Sequence, residues 1–407
     1  MKYDVAIIGA GPAGLFSTLS LKNKRVLVIE KNKQPGKKLL LSGAGQCNYT
    51  NSCSMEEFLK RYGDKGRFLK AALYAFTNND AVEFFKKHNL ESFVREDKKV
   101  FPATLKSADV LNVLLKCCRD AEFKYEETAA KITYDENNMF LIKTNKETHA
   151  AEHLIIACGG KTYPNTGSTG DGYALAESFG HTVIRPREAL APVYSENYQF
   201  KDLSGISLEN ISVTQWRNNK KIKEFSGDFL FTHTNISGPV ILNNSRYFEE
   251  DDILKINFSP LDNPEEFKKY FDDLIMNSGK LNVSTVVRKL NIPRRLADKI
   301  MELSEIREDL TCSQLDKAKR KMLMEMISEH PFKVEKLGGP NVAMVTSGGV
   351  STSEINSKTM ESKLRPKLYF AGEVMDYDGD TGGFNIQAAF STGKLAAESI
   401  NKKCRGD

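Results

Sequence analysis

The strand-forming run Tyr3-Asp4-Val5-Ala6-Ile7-Ile8 leads directly into Gly9-Ala10-Gly11-Pro12-Ala13-Gly14, and this junction constrains the chain more than any other stretch. Gly9 and Gly11 allow a tight turn whose backbone can come within hydrogen-bonding reach of a phosphate. Gly14 lets helix and strand pack closely, and the helix N-terminus that starts at Pro12 and Ala13 faces the anion. A GxGxxG turn is weak on its own. Here it has a strand before it, a helix-forming stretch from Ala13 to Leu21 after it, and a second strand from Arg25 to Ile29 that ends at Glu30. A carboxylate at Glu30 would accept hydrogen bonds from both hydroxyls of an adenosine ribose and repel a 2′-phosphate. The expected cofactor is therefore FAD or NAD rather than NADP.

At 407 residues the chain is too long for one comfortable core, so two or three domains are expected. Its net charge of +5 is small for the length and spread along the sequence, which by itself points neither to nucleic acid nor to a membrane, and neither is the expected partner. No signal peptide and no apolar run of membrane-spanning length is visible. Seven cysteines show neither a metal-type CxxC spacing nor a disulfide framework. No metal site and a reducing, cytoplasmic setting are the expectation.

The fold class expected is α/β. Residues 1–190 form the first part of a dinucleotide-binding domain. They include a basic, Gly-rich segment from Lys31 to Asn51, helical stretches near Glu56–Thr77, Asn79–Asn89 and Ala108–Cys118, and a hairpin around Asp135-Glu136-Asn137-Asn138. His153-Leu154-Ile155-Ile156-Ala157 reads as a buried parallel strand that ends in Cys158-Gly159-Gly160. From Ala191 to about residue 260, short alternating stretches suggest a small antiparallel barrel or sandwich. Residues 261–342 read as a charged helical array, and residues 343–407 return to the α/β pattern as the second part of the first domain.

A second apolar strand, Leu368-Tyr369-Phe370-Ala371, ends in Gly372-Glu373 and is followed by Gly379-Asp380-Thr381-Gly382-Gly383-Phe384-Asn385 and a helix. With the N-terminal turn and the Gly159 strand it makes a discontinuous arrangement typical of FAD domains. Its acid would lie beside the ribityl chain or pyrophosphate, and the dipole of the following helix would favour negative charge on a reduced flavin. This separates FAD from NAD.

At these residues the chain resembles a bacterial flavoprotein family of predicted NAD(FAD)-utilising dehydrogenases. The resemblance rests on Gly9–Gly14, Ser42–Asn51, Thr162-Tyr163-Pro164 with Gly167–Gly172, Phe231–Pro239, Val345–Val350 and Ala371–Asn385, and it covers nearly the whole chain. It implies a two-part, glutathione-reductase-like FAD domain interrupted by a β-barrel and a helical subdomain. It also implies FAD contacts at Gly9, Gly11, Pro12, Ala13, Gly14, Glu30, Ser42, Gly43, Gly45, Asn48, Ala157, Gly159, Gly372, Glu373, Asn385 and Ile386, and Lys31, Lys38 and Asp376 are further candidate cofactor contacts. The family usually carries arginine where this chain has Gln46, and often where it has Lys37, so a guanidinium contact at Gln46 is in doubt.

A flavin performs electron transfer itself, so no catalytic triad is needed. Cys47 is a candidate thiol contact, weighed against small buried packing. His233 is a candidate proton donor, weighed against a hydrogen-bonded structural histidine. Tyr163 lies on a Gly-rich loop where it could meet a substrate, and Lys38 either contacts pyrophosphate or forms a solvated face. The expected activity is an FAD-dependent oxidoreductase, either an NAD(P)H-dependent reductase or an amine oxidase. It would act on a small organic substrate, with NAD(P)H as a transient co-substrate and dioxygen or an organic molecule as acceptor. Two alternatives are an RNA-modifying flavoprotein, which would use the Lys317–Lys321 run on phosphates, and a flavin redox sensor that docks a partner protein. Substrate, donor, acceptor and oligomeric state are not readable.

Overall fold

The computed structural model describes residues 2–403. The chain divides into two compact units, one built from the residues up to Ala189 together with those from Pro340 onward, the other from Leu190–Gly339.

The first unit is organised by a parallel sheet. Lys2–Ile8 lies between Val26–Glu30 and Thr148–Ile156 and is parallel to both. Glu122–Tyr125 extends the sheet beyond Val26–Glu30, and Leu368–Phe370 adds to the other side of Thr148–Ile156. Val5, Ala6 and Ile7 have no exposed surface, and neither do Leu154, Ile155 and Ile156. Strands covered on both faces read as continuous apolar runs for this reason. The N-terminal half of Thr148–Ile156 also pairs antiparallel with Phe140–Thr144, whose hairpin partner is Ala129–Tyr134. Thr148–Ile156 therefore bridges the parallel sheet and the hairpin expected around Asp135–Asn138.

Strand register decides where the glycine turns meet. Ile8 is level with Ile29 and with Ile156, and Phe370 is level with Ile156. Gly9, Glu30, Ala157 and Ala371 consequently emerge side by side from the carboxyl ends of four parallel strands, where open α/β sheets bind ligands. The helix Pro12–Ser20 packs on the long helix Phe384–Lys403. A Cβ at Gly393 would stand 2.4 Å from the Ala13 carbonyl oxygen, so glycine is required for the approach of these two helices. Phe16 fills the same seam, with ring centroids 4.5 Å from Phe76 and 4.9 Å from Phe390.

The second unit contains a closed six-stranded barrel in the order Val193–Ser195, Ile236–Ser237, Lys220–Phe231, Ser207–Arg217, Ile253–Asn257, His330–Leu337. Its closing strand pairs with both Ile253–Asn257 and Val193–Ser195. The barrel is therefore not completed within residues 191–260. The helices Pro264–Asn277, Val283–Val287, Arg294–Leu303 and Lys317–Ser328 lie between its fifth and sixth strands, and the segment read as helical to residue 342 ends in a strand. The strand shows the alternation of a half-buried pleat: His330, Phe332 and Val334 are buried while Pro331 and Glu335 are exposed. Its charged outward positions continue the composition of the preceding helices, which hides the change of period.

His330 sits inside an aromatic cage, with ring centroids 4.8 Å from Phe332, 4.9 Å from Phe200 and 5.9 Å from Phe258. Burial alone holds its imidazole down at about 4 from an ordinary 6.5. The folded state therefore takes its proton at lower pH than the unfolded chain. The stability contribution is complete above the unfolded value and is lost as pH falls toward the folded one, at a cost of about 2 kcal/mol between pH 7 and pH 5. Trp216, the single tryptophan, lies on the barrel strand Ser207–Arg217 and reports on this unit. Urea melts followed by its fluorescence should lose that stability on acidification in the native protein and not in His330→Leu. Parallel losses in both would show that His330 is not the titrating group.

Candidate cofactor site

Glu30 ends its strand 7% exposed, and its carboxylate is already engaged. Oε2 accepts from the Ala10 backbone N–H at 2.9 Å, while Oε1 accepts from the Asn32 backbone N–H at 2.8 Å and from Asn32 Nδ2 at 2.7 Å. Asn32 Nδ2 also donates to the Thr166 carbonyl at 3.0 Å. Three of the roughly four acceptor positions of a carboxylate are thus filled. Both hydroxyls of a ribose can be accepted together only if one Asn32 donor gives way. Asn32 lies two residues after the expected acid, so the Glu30 carboxylate closes a local turn by accepting its backbone N–H.

The Gly9–Gly14 turn separates glycines needed for packing from one that is not. Gly9 has φ +102°, and a Cβ there would stand 2.6 Å from the Ala157 carbonyl oxygen. A Cβ at Gly14 would stand 1.9 Å from the Gly9 carbonyl oxygen. Gly11 differs: its φ is −82°, and nothing lies within 4 Å of a Cβ built on it. The helix Pro12–Ser20 starts there with no side-chain cap and no acidic residue in its first turn. The open space beside Gly11 at this uncapped helix N-terminus fits a dinucleotide pyrophosphate. At Gly159, φ +73°, a Cβ would meet only Ser168 Oγ at 3.7 Å.

A polar cluster joins the remaining segments. Lys38 Nζ donates to Glu373 at 2.8 and 3.0 Å and to Thr162 Oγ1 at 2.7 Å, and the Thr346 N–H donates to Glu373 Oε1 at 2.8 Å. A Cβ at Gly160 would stand 2.3 Å from Thr346 Oγ1 and 2.8 Å from Glu373 Oε1, so this cluster closes only over a glycine. Lys38 is thereby the counter-ion of Glu373 rather than part of a solvated face. Lys31 pairs with Asp171 at 2.5 Å and Asp376 with Lys65 at 2.5 Å. Asn385 holds its own loop, accepting from the Gly379 N–H at 2.8 Å and donating to the Gly379 carbonyl at 2.8 Å. Ile386 is half-buried on the first turn of the C-terminal helix.

The loop from Ser42 to Asn48 carries left-handed backbone at Gly43, Ala44, Gly45 and Cys47. Two of these are not glycine, and such strain concentrates at ligand-binding turns. Ser42 Oγ donates to the Leu39 carbonyl at 2.6 Å. The Asn48 amide, oriented by its partners, donates to the Thr50 carbonyl at 2.9 Å and accepts from the Gly383 N–H at 3.1 Å. It ties this loop to the Gly382-Gly383 turn. Cys47 has no exposed surface, and burial pushes its thiol up to about 12 against an opposing hydrogen bond with Ser42. That is the environment of a packed, unreactive thiol. The guanidinium missing at Gln46 is supplied from elsewhere in the chain: Arg95 Nη2 donates to Gln46 Oε1 at 2.7 Å.

Two other candidates are placed without partners that would define a role. Tyr163 is half-buried with φ +55°, and His233 is exposed in the turn closed by hydrogen bonds between Thr232 and Asn235. Tyr173 was not singled out in the sequence. It is buried, and its hydroxyl has no hydrogen-bond partner among the described residues. Burial first, then the nearby Glu373 carboxylate, pushes its phenol up. An orphaned buried hydroxyl beside the Glu373 cluster is a position that a bound ligand's acceptor would satisfy. Asn32, Thr162 and Thr346 were likewise given no role in the sequence, although the last two fall inside motifs that carried the resemblance.

Glu127, Glu147 and His149 form the one group of metal-type ligands gathered among the described residues. Its close contact, His149 Nε2 to Glu127 Oε1 at 2.7 Å, is an ordinary buried hydrogen bond. The six described cysteines are all free, and no helix among the described residues is long and apolar enough to cross a membrane.

Residues 3–399 match the family described as HI0933-like protein Rossmann domain. The chain is 33% identical over 407 residues to a ribosomal RNA dihydrouridine synthase from Haemophilus influenzae, covering 98% of both proteins. It is 28% identical over 412 residues to a 3-dehydro-bile acid delta(4,6)-reductase from Clostridium scindens, covering 98% of this chain and 99% of that one. Among solved structures, FrdA of Escherichia coli quinol fumarate reductase shares the fold. The TM-score is 0.50 at 14% identity, over 100% of this chain and 71% of FrdA. The expected class, an FAD-binding Rossmann flavoprotein of oxidoreductase type, is the class of these proteins.

Proposed function

We propose that this chain, which belongs to the HI0933-like family, reduces a carbon–carbon double bond conjugated to a carbonyl, and that its substrate is a uridine of ribosomal RNA. The observation that carries the reading is the 33% identity to a ribosomal RNA dihydrouridine synthase along 98% of both chains. Forming dihydrouridine adds one hydride and one proton across the 5,6-double bond of the base. A delta(4,6)-reductase also saturates carbon–carbon double bonds, so the two relatives share a reaction type while differing in substrate. This supports reduction ahead of amine oxidation, with NAD(P)H as the proposed donor.

The chemistry FAD supplies when bound is two-electron hydride transfer. The Gly9–Gly14 turn and the N-terminus of Pro12–Ser20 would hold its pyrophosphate. Glu30, oriented by Ala10 and Asn32, would hold the adenosine ribose. Lys38 and the Thr346 N–H hold the Glu373 carboxylate in place beside the Gly372 turn, and Lys38 is itself held by Thr162.

A ribosomal RNA substrate runs against the expectation of no nucleic-acid partner. A small net charge averaged over a whole chain says nothing about a local phosphate contact. The Lys317–Lys321 run is not the contact surface we favour, because Arg320 pairs with Asp272 at 3.1 Å and Lys321 with Glu325 at 3.8 Å.

The test is nucleoside mass spectrometry of ribosomal RNA from cells with and without the gene. Loss of dihydrouridine on deletion, restored by the intact gene, is the expected result. Unchanged dihydrouridine, together with reduction of a steroid enone by the purified protein, would move the assignment to the small-molecule reductase.

A further inference from the structure

Arg95 stands in the turn between the short strands Ser92–Val94 and Lys99–Pro102. Its backbone is pinned on both sides, the N–H donating to the Lys99 carbonyl and the carbonyl accepting from the Lys98 N–H, each at 2.9 Å. The guanidinium carbon lies 4.2 Å from the centroid of Phe101, and Nη2 donates to Gln46 Oε1 at 2.7 Å. Phe101 is itself buried against the strained loop, since a Cβ at Gly43 would come 3.3 Å from its ring. An exposed arginine is thus held at three points against the Gly43–Cys47 turn.

Its charge acts on the neighbouring Asp97 carboxylate only through space. Among the described residues Arg95 forms no ion pair, and the neighbouring carboxylate Asp97 is taken by Lys99 at 2.7 Å. Gln46 and Phe101 are both neutral. Of the five N–H donors of a guanidinium, one is used here, leaving a planar fork of the kind that grips phosphate oxygens in two places. Stacking on an aromatic ring removes much of the entropy cost that a free arginine would meet on binding.

We infer that Arg95 is an anion-binding residue of this loop and that it grips a phosphate group of an incoming substrate. Two molecules could bring that phosphate to the protein: RNA, through the backbone phosphate beside the reduced base, and NADPH, through its 2′-phosphate. The first of these rests on the substrate proposed above and the second on the electron donor proposed there.

The experiment compares the native holoenzyme with Arg95→Gln and with the double variant Arg95→Gln/Gln46→Arg. One arm measures binding of ribosomal RNA from cells lacking the gene across a series of KCl concentrations. The other follows anaerobic bleaching of the flavin by NADPH and by NADH. If RNA is the bearer, Arg95→Gln weakens RNA binding about tenfold and lowers the slope of log affinity against log salt by about one, with both nicotinamide titrations unchanged. If NADPH is the bearer, the NADPH titration shifts about tenfold while NADH and RNA stay put. In either case the double variant recovers the loss, because the guanidinium returns on the other member of the same hydrogen-bonded pair, which a packing role for Arg95 would not produce. A native protein that ignores ribosomal RNA overturns the RNA reading while the NADPH arm still judges Arg95. Identical behaviour of native protein and Arg95→Gln in both arms overturns the inference.

Discussion

Gly14→Ala is expected to yield a poorly folded protein without flavin, whereas Gly11→Ala should fold normally and lose only the flavin. The added methyl group is the same at both positions, which lie three residues apart. At position 14 the Cβ would stand 1.9 Å from the Gly9 carbonyl oxygen, which is backbone directly after the buried run Val5–Ile8 and cannot yield without moving the sheet. Overpacking of this kind costs about 1–3 kcal/mol where side chains can adjust, and a backbone clash lies at or beyond the upper end. At position 11 the backbone is extended and the methyl meets nothing within 4 Å. It projects instead into the cradle at the uncapped helix N-terminus, where a pyrophosphate has to approach the backbone closely. The ratio of flavin absorbance to protein, measured alongside the melting temperature of the flavin-free form, separates the two variants. For Gly11→Ala the expected pair is an unchanged apoprotein melting temperature and flavin affinity at least about tenfold weaker. Full flavin occupancy in Gly11→Ala would show that the phosphates do not cross this turn.

That contrast also marks what the sequence could convey. The turn, both flanking strands and the acid at Glu30 were legible because local chemistry dictates them: glycine where backbones touch, apolar runs where a strand is covered on both faces. The same held for the strand into Gly159 and the one into Gly372, and the register that makes them neighbours follows once they join one parallel sheet. The closing barrel strand His330–Leu337 was not legible, because its outward residues are as charged as the helices before it and its partner Val193–Ser195 lies more than a hundred residues away. Partnerships between distant side chains were equally hidden. Nothing local in Arg95 announces Gln46, and nothing local in Lys38 announces Glu373. Sequence could name Lys38 as a cation near the site but could not decide between phosphate and solvent, because the deciding partner lies 335 residues away.

Lys38→Met and Glu373→Gln should each cost about 2 kcal/mol of apoprotein stability, and the double variant should cost about as much as either alone. The two side chains retain 24% and 20% of their exposure, so each single change leaves a partly buried charge unpaired, at less than the 3–5 kcal/mol typical of full burial. Removing both charges removes the unpaired ion, which is why the losses should not add. Glu373 has the larger network, since it also accepts the Thr346 N–H and lies under the glycine gap at residue 160. Its amide variant keeps an acceptor for that N–H, so the comparison isolates charge from hydrogen bonding. Flavin affinity then discriminates between two roles for Lys38. If the lysine serves Glu373, both single variants weaken flavin binding. If it served the pyrophosphate directly, Glu373→Gln would free it and tighten binding, while Lys38→Met alone would weaken it. The 2.8 Å contact with Glu373 and the 2.7 Å contact with Thr162 favour the first pattern. Urea denaturation of the four flavin-free proteins at pH 7, with flavin titration of each, gives both readings. Additive stability losses would show that the pair does not act as a unit.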